Sequence, residues 1–295
     1  MIKRFIDGMR NVRNGMLGIN ARNLACVYPL NPRRHFPRAD NKLLCKQLLA
    51  EHHIAHPETL AVYNQYRDLL CLAEDIGQLS GFAVKPGRGC GGRGILVVQR
   101  DTDGLLRTGG QDVSFEELRA HIYRILTGCF SLEKVSDSAF IEQLIVSDDT
   151  FRDISFGGLP DFRIILYRNT PLMAMARVPT VESGGLANLH QGALGLGVDL
   201  QTGITTQAVY RDRCITHTPN TNKPLSGIRI PHWENIIDMA TQSSHIFGLG
   251  YLGVDIVIDH CRGPMVMEVN ARPGLNIQLA NAAGLKAKIP WEAAL

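Results

Sequence analysis

The sequence has few aromatic residues and no long hydrophobic run. Aromatic residues make up 6% of the 295 positions, and no apolar segment approaches the roughly 20 residues that a membrane-spanning helix needs. The seven cysteines are scattered and include no Cys-x-x-Cys pair, which argues against a zinc ribbon and a disulfide framework. The first eight residues lack the apolar core of a signal peptide. Together these absences predict a protein of the reducing cytoplasm.

The charged residues are distributed unevenly along the chain. Residues 1–38 contain eight Lys or Arg and one acidic residue, which is 8 − 1 = +7, so the rest of the chain sums to 3 − 7 = −4. We call residues 1–40 the basic arm, and the helical spacing of its first apolar residues predicts an amphipathic helix over 2–12. The arm could dock on the body of the chain, or contact an anionic membrane, a membrane protein or an acidic peptide. Nucleic acid is disfavoured, because aromatic residues do not interleave with the arginines.

Hydrophobic periodicity predicts an α+β protein. The predicted helices cover 41–53, 65–77, 114–127 and 231–247, and the predicted strands cover 82–85, 95–99, 139–146, 161–168, 171–178, 254–259 and 264–270. Ser114 and Glu117 stand at capping-box spacing. Residues 31–34 are predicted to be extended or in a turn, and 184–197 to be a glycine-rich connection. Strands follow strands without sustained alternation with helices, which excludes a doubly wound parallel sheet.

A glycine-rich loop joins two of the predicted strands. Residues 86–94 read Pro-Gly-Arg-Gly-Cys-Gly-Gly-Arg-Gly. A dinucleotide-binding site is excluded, because it needs a helix directly after the glycines and a strand follows this loop. A P-loop is also excluded, because the loop does not end in Gly-Lys-Ser/Thr. The later motifs of a protein kinase are also missing. The loop amides, with Arg88 and Arg93, suit phosphate oxygens, and Lys85 ends the preceding strand. The alternative is a solvated turn.

Two acidic residues are expected to face each other near the end of the chain. If strands 254–259 and 264–269 pair across a four-residue turn, Asp259 faces Pro264. Asp255 then faces Glu268, with the β-carbons of the two residues about 5 Å apart. Asn270 then projects from the same side as Glu268. Three oxygen ligands on one face suit Mg²⁺. The alternative is a solvent-facing polar edge.

This order of motifs resembles the ATP-grasp superfamily, and within it most closely the RimK-like alpha-L-glutamate ligases. The resemblance covers about residues 38–285 and is carried by Lys42-Leu43, Phe82-Ala83-Val84-Lys85-Pro86, Asp161-Phe162-Arg163, Asn188-Leu189-His190, Gly253-Val254-Asp255 and Met267-Glu268-Val269-Asn270. It implies an α+β ATP-grasp fold in which two α/β subdomains clamp ATP. The implied division is the basic arm, a subdomain with the glycine loop at 41–137, and a subdomain with the Mg²⁺ site at 138–295.

The resemblance also implies the site residues. The implied ATP-binding residues are Lys42, Lys85, Gly87, Arg88, Gly89, Gly91 and Gly92 at the phosphates, Gln143 and Leu144 at the adenine, and Asp161 at the ribose. The implied catalytic residues are Arg163, Arg177 and Asn188, and the implied ligands of Mg²⁺, or of Mn²⁺ in its place, are Asp255, Glu268 and Asn270. The implied reaction phosphorylates a carboxylate and lets an amine displace the phosphate. The acceptor would be an acidic peptide, a protein or a small metabolite, and a homo-oligomer is compatible with the family.

Two features depart from the RimK-like pattern. ATP-grasp ligases usually begin with a separate domain, where this chain has only the basic arm. RimK-like proteins have arginines where this chain has Leu186 and Gln191. Two alternatives therefore stay open. One is a nucleotide-dependent enzyme of a saccharide pathway, because sugar-transfer-associated ATP-grasp proteins are similar over the nucleotide core. The other is a regulatory ATP-binding module without turnover.

Overall fold

The computed structural model describes residues 15–89, 91–131 and 134–289. The predicted helix over 2–12 and Cys90 of the glycine loop lie outside these residues. The chain divides into two compact units: the first comprises Met1–Asp40, Leu44–Ala55 and Val146–Leu295, and the second comprises Asn41–Leu43 and His56–Ile145. The division between the two large segments falls after Ile145, whereas the sequence places it after residue 137. None of the helices in the described residues is long and apolar enough to cross a bilayer.

The second unit contains a six-stranded antiparallel sheet of strand order β1-β6-β2-β3-β4-β5. Its strands are β1 (Thr59–Tyr63), β2 (Gly81–Pro86), β3 (Leu96–Arg100), β4 (Leu106–Thr108), β5 (Gln111–Asp112) and β6 (Ala139–Gln143). Its helices are the 3₁₀ helix Tyr66–Cys71 and the α-helices Leu72–Ile76 and Phe115–Leu126. The last helix begins at the predicted capping box of Ser114 and Glu117, and its buried Leu118 and Ile122 pack on the sheet.

The first unit contains a seven-stranded antiparallel sheet of order β11-β10-β9-β8-β7-β12-β13. Its strands are β7 (Asp161–Tyr167), β8 (Thr170–Val178), β9 (Leu194–Val198), β10 (Thr205–Tyr210), β11 (Arg213–Ile215), β12 (Tyr251–Asp259) and β13 (Gly263–Asn270). The helix Trp233–Phe247 contributes to the core on one face, where Phe162 and Ile164 lie. The short helix Ile277–Ala280 contributes to a second core that contains Ile165 and Met175 on the other face.

The glycine-rich connection predicted over 184–197 is wrong at its end, because residues 194–198 form β9. In the structure a Cβ on Gly197 would lie 2.5 Å from the carbonyl oxygen of Ala280. The missing side chain therefore lets a neighbouring helix pack closely on the strand.

The described part of the basic arm is folded into the first unit. It forms the helix Ile19–Arg22, a π-helical turn Asn23–Val27, the helices Tyr28–Leu30 and Phe36–Asp40, and a 3₁₀ turn Arg33–His35, which replaces the extended or turn conformation predicted over 31–34. Asn31 does keep an extended backbone, because its side chain bonds to the main chain of Tyr251 and Ala271. The guanidinium of Arg22 donates to the Pro273 carbonyl over 2.7 Å and is buried. These buried polar bonds make residues 19–40 an integral part of the unit.

Candidate active site

Charged side chains from four adjacent strands of the first unit meet on one face of the sheet. Asp161 on β7 lies opposite Arg177 on β8, and Arg163 on β7 lies opposite Asp255 on β12. Asp255 in turn lies opposite Glu268 on β13. Because residues two apart on a strand share a face, these registers place all five side chains together. We call this set, with Asn270, the carboxylate cluster.

Asp255 is the centre of the carboxylate cluster. It is 1% exposed, and Arg163 donates to both of its oxygens, from Nε to Oδ1 over 2.7 Å and from Nη2 to Oδ2 over 2.5 Å. Arg177 adds a bond from Nη2 to Oδ2 over 2.8 Å. Burial alone would raise the pKa of Asp255, but the two guanidiniums hold this pKa well below its ordinary value. Asp255 is therefore an ionised carboxylate in a buried setting.

Arg177 is shared between two carboxylates. Its Nε and Nη2 donate to the two oxygens of Asp161 over 2.5 and 2.6 Å, while Nη2 also reaches Asp255. Burial raises the pKa of Asp161 to about 6, since the lowering by Arg177 is opposed by the nearby Asp255 carboxylate. Although burial lowers the pKa of Arg177, both carboxylates raise it by a larger amount. Of the two aspartates that share Arg177, Asp161 therefore takes up a proton before Asp255.

The carboxylate cluster contains the types of side chain that Mg²⁺ prefers as ligands. In the structure Nδ2 of Asn270 faces both carboxylates, 3.1 Å from Oδ2 of Asp255 and 3.3 Å from Oε1 of Glu268, so its amide would have to turn for Oδ1 to reach an ion between them. Three carboxylates and two guanidiniums leave −3 + 2 = −1 when all are ionised. No three His, Cys, Asp or Glu side chains in the described chain form a metal-binding group by themselves. Two carboxylates and an amide oxygen nevertheless fit Mg²⁺, which keeps water as its other ligands.

The register of the hairpin that carries these residues differs from the predicted one at its turn. Asp259 lies opposite Gly263 and not Pro264, because three residues turn the chain while the Asp259 carboxylate accepts the amides of Cys261 and Arg262 over 3.0 Å each. A β-bulge between Asp255 and Ile256 then shifts the register back. The predicted pairing of Asp255 with Glu268 is therefore confirmed.

In the second unit, Lys42 is bonded to the glycine loop. Its backbone amide donates to the Gly87 carbonyl over 2.9 Å, and its Nζ donates to the Gly89 carbonyl over 2.6 Å. On the other side, the amide of Arg88 donates to Oδ2 of Asp137 over 2.9 Å. Gly91 and Gly92 have φ of +64° and +78°, a conformation that favours glycine because a Cβ is strained there. Hydrogen bonds therefore fix the base of the loop, whereas Gly91 and Gly92 at its tip have backbone angles that favour glycine.

Lys85 lies in the sheet of the second unit beside a residue that the sequence analysis missed. Its ammonium pairs with the carboxylate of Glu142 on β6, and the two residues are 8% and 2% exposed. A charged residue at an inward position of a buried strand is the signal that could have identified Glu142. Next to it, the backbone amide of Gln143 donates to the Glu58 carbonyl over 2.9 Å, so this amide is already used within the sheet.

A polar cavity of about 180 Å³ lies beside the base of the glycine loop. Its lining residues are Asn41, Asn64, Gly87, Arg88, Ser136, Asp137 and Ser138. Asp137 is buried and accepts two backbone amides, from Arg88 and from Ser138. The cavity therefore extends the polar surface of the loop.

Asn188 of the first unit caps a short helical turn. Its Oδ1 accepts the amide of His190 over 3.0 Å at the start of the 3₁₀ turn Leu189–Gln191. Its carbonyl accepts the amides of Gln191 and Ala193. Asn188 thus shapes the loop that also carries Leu186, and its described bonds lie within that loop. The predicted site residues consequently fall into two groups, one in each unit.

A family model described as sugar-transfer associated ATP-grasp matches residues 21–290. The D-cycloserine synthetase DcsG is 14% identical with a TM-score of 0.51, over 90% of this chain and 73% of that one. The D-alanine–D-alanine ligase of Bacillus anthracis complexed with ATP is 16% identical with a TM-score of 0.48, over 86% and 60%. The ATP-grasp ligase PsnB complexed with a minimal precursor is 16% identical with a TM-score of 0.43, over 83% and 56%.

These matches concern the fold. The chain spans little more than half the length of the PsnB structures that it matches, and none of the curated proteins matches it. The α+β ATP-grasp fold expected from the sequence is confirmed, whereas the RimK-like subtype stays a prediction. Since the family model covers most of the 295 residues, the chain belongs to the sugar-transfer associated ATP-grasp family.

Proposed function

We propose that the protein is an ATP- and Mg²⁺-dependent ligase that joins a carboxylate to an amine through an acyl phosphate. The observation that carries the proposal is the carboxylate cluster, in which two opposed acidic residues and an amide stand beside two buried guanidiniums. Transfer of a phosphoryl group needs charge neutralisation and alignment more than a dedicated nucleophile. Membership in an ATP-grasp family supports the nucleotide as the phosphoryl donor.

Some residues of the carboxylate cluster would bind the metal, and others would position these ligands or contact the substrates. Asp255, Glu268 and Asn270 would hold Mg²⁺, which when bound would neutralise charge on the phosphates. Arg163 would position Asp255, because both of its described bonds go to that carboxylate. Arg177 would face the transferred phosphoryl group, and Asn188 would shape the neighbouring loop. We assign the ribose hydroxyls to Asp161, whose carboxylate Arg177 holds in place.

The second unit would bind the phosphates and the base. Lys42 would hold the glycine loop at its base, and the amides of Gly87, Arg88, Gly89, Gly91 and Gly92 would meet phosphate oxygens. Lys85 would contribute its ammonium, which Glu142 holds in position. Backbone groups of Gln143 and Leu144 would contact the adenine. For Gln143 this role falls to the carbonyl, because its amide is bonded to Glu58.

The carboxylate and the amine are the open part of the proposal. One candidate for the amine substrate is glutamate, as the RimK-like resemblance suggests. The carboxylate acceptor would then be an acidic peptide or a small metabolite. A second candidate is a phosphoryl-activated product in a saccharide pathway, which is favoured by the sugar-transfer association in the family description. Leu186 and Gln191, which replace arginines of the RimK-like pattern, also favour a different substrate. We place the activity in the cytoplasm, which suits the six described cysteines, all of them thiols.

The test is ADP release from ATP and Mg²⁺ with a panel of carboxylates, amines and sugars carrying either group. We expect release that requires one carboxylate and one amine together, with mass spectrometry identifying the amide. Release with a carboxylate alone, followed by hydrolysis, would still support activation of the carboxylate. Tight ATP binding without release for any pair would contradict the ligase and favour the regulatory module.

A further inference from the structure

The described part of the basic arm presents an apolar stripe to solvent. Residues 19–30 are helical throughout, with Arg22, Cys26 and Val27 buried on the inner side. On the outer side Ile19, Leu24 and Tyr28 are 64%, 70% and 63% exposed. These are three of the four most exposed large apolar side chains of the described chain. We call Ile19, Leu24 and Tyr28 the apolar stripe.

The three residues of the apolar stripe recur along the helical segment. Leu24 lies five positions after Ile19 and Tyr28 four positions after Leu24, and the π-helical turn Asn23–Val27 falls within this span. The helical segment is held on the unit by its inner side, where Arg22 donates to Pro273 and the amide of Gly250 donates to the Leu30 carbonyl over 3.0 Å. The exposed stripe is therefore a fixed surface.

The chain segment that carries the apolar stripe has charge of one sign. No Asp or Glu occurs between Asp7 and Asp40, a span that contains six arginines. Arg33 and Arg34 follow the helical segment after two residues and are exposed. The rest of the chain is net negative, at 3 − 7 = −4 for residues 39–295. A partner that covers the stripe must therefore combine an apolar layer with negative charge.

We propose that the apolar stripe and the arginines beside it bind the protein to an anionic lipid bilayer, independently of the proposed ligase activity. A stable protein–protein interface buries about 800 Å² on each partner, which three side chains cannot provide. A helix that lies in the headgroup region needs only a narrow apolar stripe with basic residues next to it. Tyr28, with its polar tip at one end of the stripe, is a residue type enriched at that depth.

The experiment is sedimentation of the whole chain with vesicles of phosphatidylcholine and with vesicles that also contain phosphatidylglycerol. We expect binding to the anionic vesicles only. The double variant Leu24→Ser, Tyr28→Ser is expected to bind about tenfold more weakly. The double variant Arg33→Gln, Arg34→Gln is expected to bind about 30-fold more weakly at low salt. The matched control is Leu70→Ser, since Leu70 is 83% exposed and lies outside the basic arm.

Thermal unfolding midpoints of all variants are expected to match that of the wild type, because the substituted side chains are exposed. Equal binding of the wild type and the Leu24→Ser, Tyr28→Ser variant would overturn the proposal, as would binding without preference for anionic vesicles. The wild type could instead fail to bind vesicles and form dimers, with the Leu24→Ser, Tyr28→Ser variant remaining monomeric. In that case the apolar stripe would bind a second copy of the chain. That result would also overturn the lipid assignment.

Discussion

Replacing Arg163 with methionine removes the main counter-charge of a buried carboxylate. Asp255 is 1% exposed and loses two hydrogen bonds of 2.7 and 2.5 Å, while the bond from Arg177 stays. Removing one partner of a buried ion pair costs about 3–5 kcal/mol. Because Arg177 still neutralises part of the charge, we expect the free energy of unfolding to fall by about 3 kcal/mol at neutral pH.

The pH dependence of this loss has a definite sign. In the wild type the folded-state pKa of Asp255 lies below the unfolded value, so its contribution is complete above about pH 4 and is lost as the pH falls further. In Arg163→Met we expect the effect of burial, which raises the pKa of Asp255, to outweigh the remaining guanidinium of Arg177. The folded-state pKa of Asp255 would then lie above the unfolded value. We therefore expect the variant to recover part of the lost stability as the pH falls from about 7 to about 5.

Urea unfolding followed by tryptophan fluorescence measures both effects. Both tryptophans of the sequence, Trp233 and Trp291, occur in the segment Val146–Leu295, which belongs to the same unit as Arg163. The matched control is Arg152→Met, because Arg152 is 72% exposed in its ion pair with Asp149 and is expected to change stability by less than about 1 kcal/mol. A variant Arg163→Met as stable as the control, or one that loses further stability on mild acidification, would refute the assigned role of Arg163.

Two further perturbations test buried charges in each unit. Burial raises the pKa of Asp259, but the bonds from Arg262 and Val146 bring it to about 2, below its unfolded value. The stability difference between wild type and Asp259→Asn, about 2 kcal/mol, should therefore disappear as the pH falls from about 4 to about 2, and a difference independent of pH would contradict this. Lys85→Met deprives the buried Glu142 of its ammonium partner, so we expect a loss of about 3 kcal/mol. Adding Glu142→Gln should recover most of this loss in thermal unfolding, and no recovery would show that the pair is not coupled.

The carboxylate cluster could be predicted from the sequence in part. The alternation of Asp255 with apolar residues on β12 correctly assigned its face, and the pairing with Glu268 is correct. The observed hairpin differs from the predicted one in two ways that cancel at Asp255. Its turn is shorter by one residue, and Met267 is an extra residue in a β-bulge. The bulge depends on the registers of the neighbouring strands, which alternation along a single strand does not reveal.

Other features depended on long-range contacts that no local pattern encodes. Gly197 was interpreted as part of a connection because its close approach to Ala280 is visible only in three dimensions. The arginines of the basic arm were treated alike, although Arg22 is buried against Pro273. The side chain of Asn188 was assigned to catalysis from resemblance, whereas its described oxygen contact caps its own turn.

The most direct measurement is calorimetric titration of ATP into the protein with and without Mg²⁺. We expect the wild type to bind ATP more tightly with Mg²⁺, and Glu268→Gln to lose this gain while keeping its unfolding midpoint. The exposed Glu234→Gln on the helix Trp233–Phe247 is the matched control and should behave as the wild type. A Glu268→Gln protein that retains the whole Mg²⁺-dependent gain in ATP affinity would contradict the assignment of Asp255, Glu268 and Asn270 to the metal.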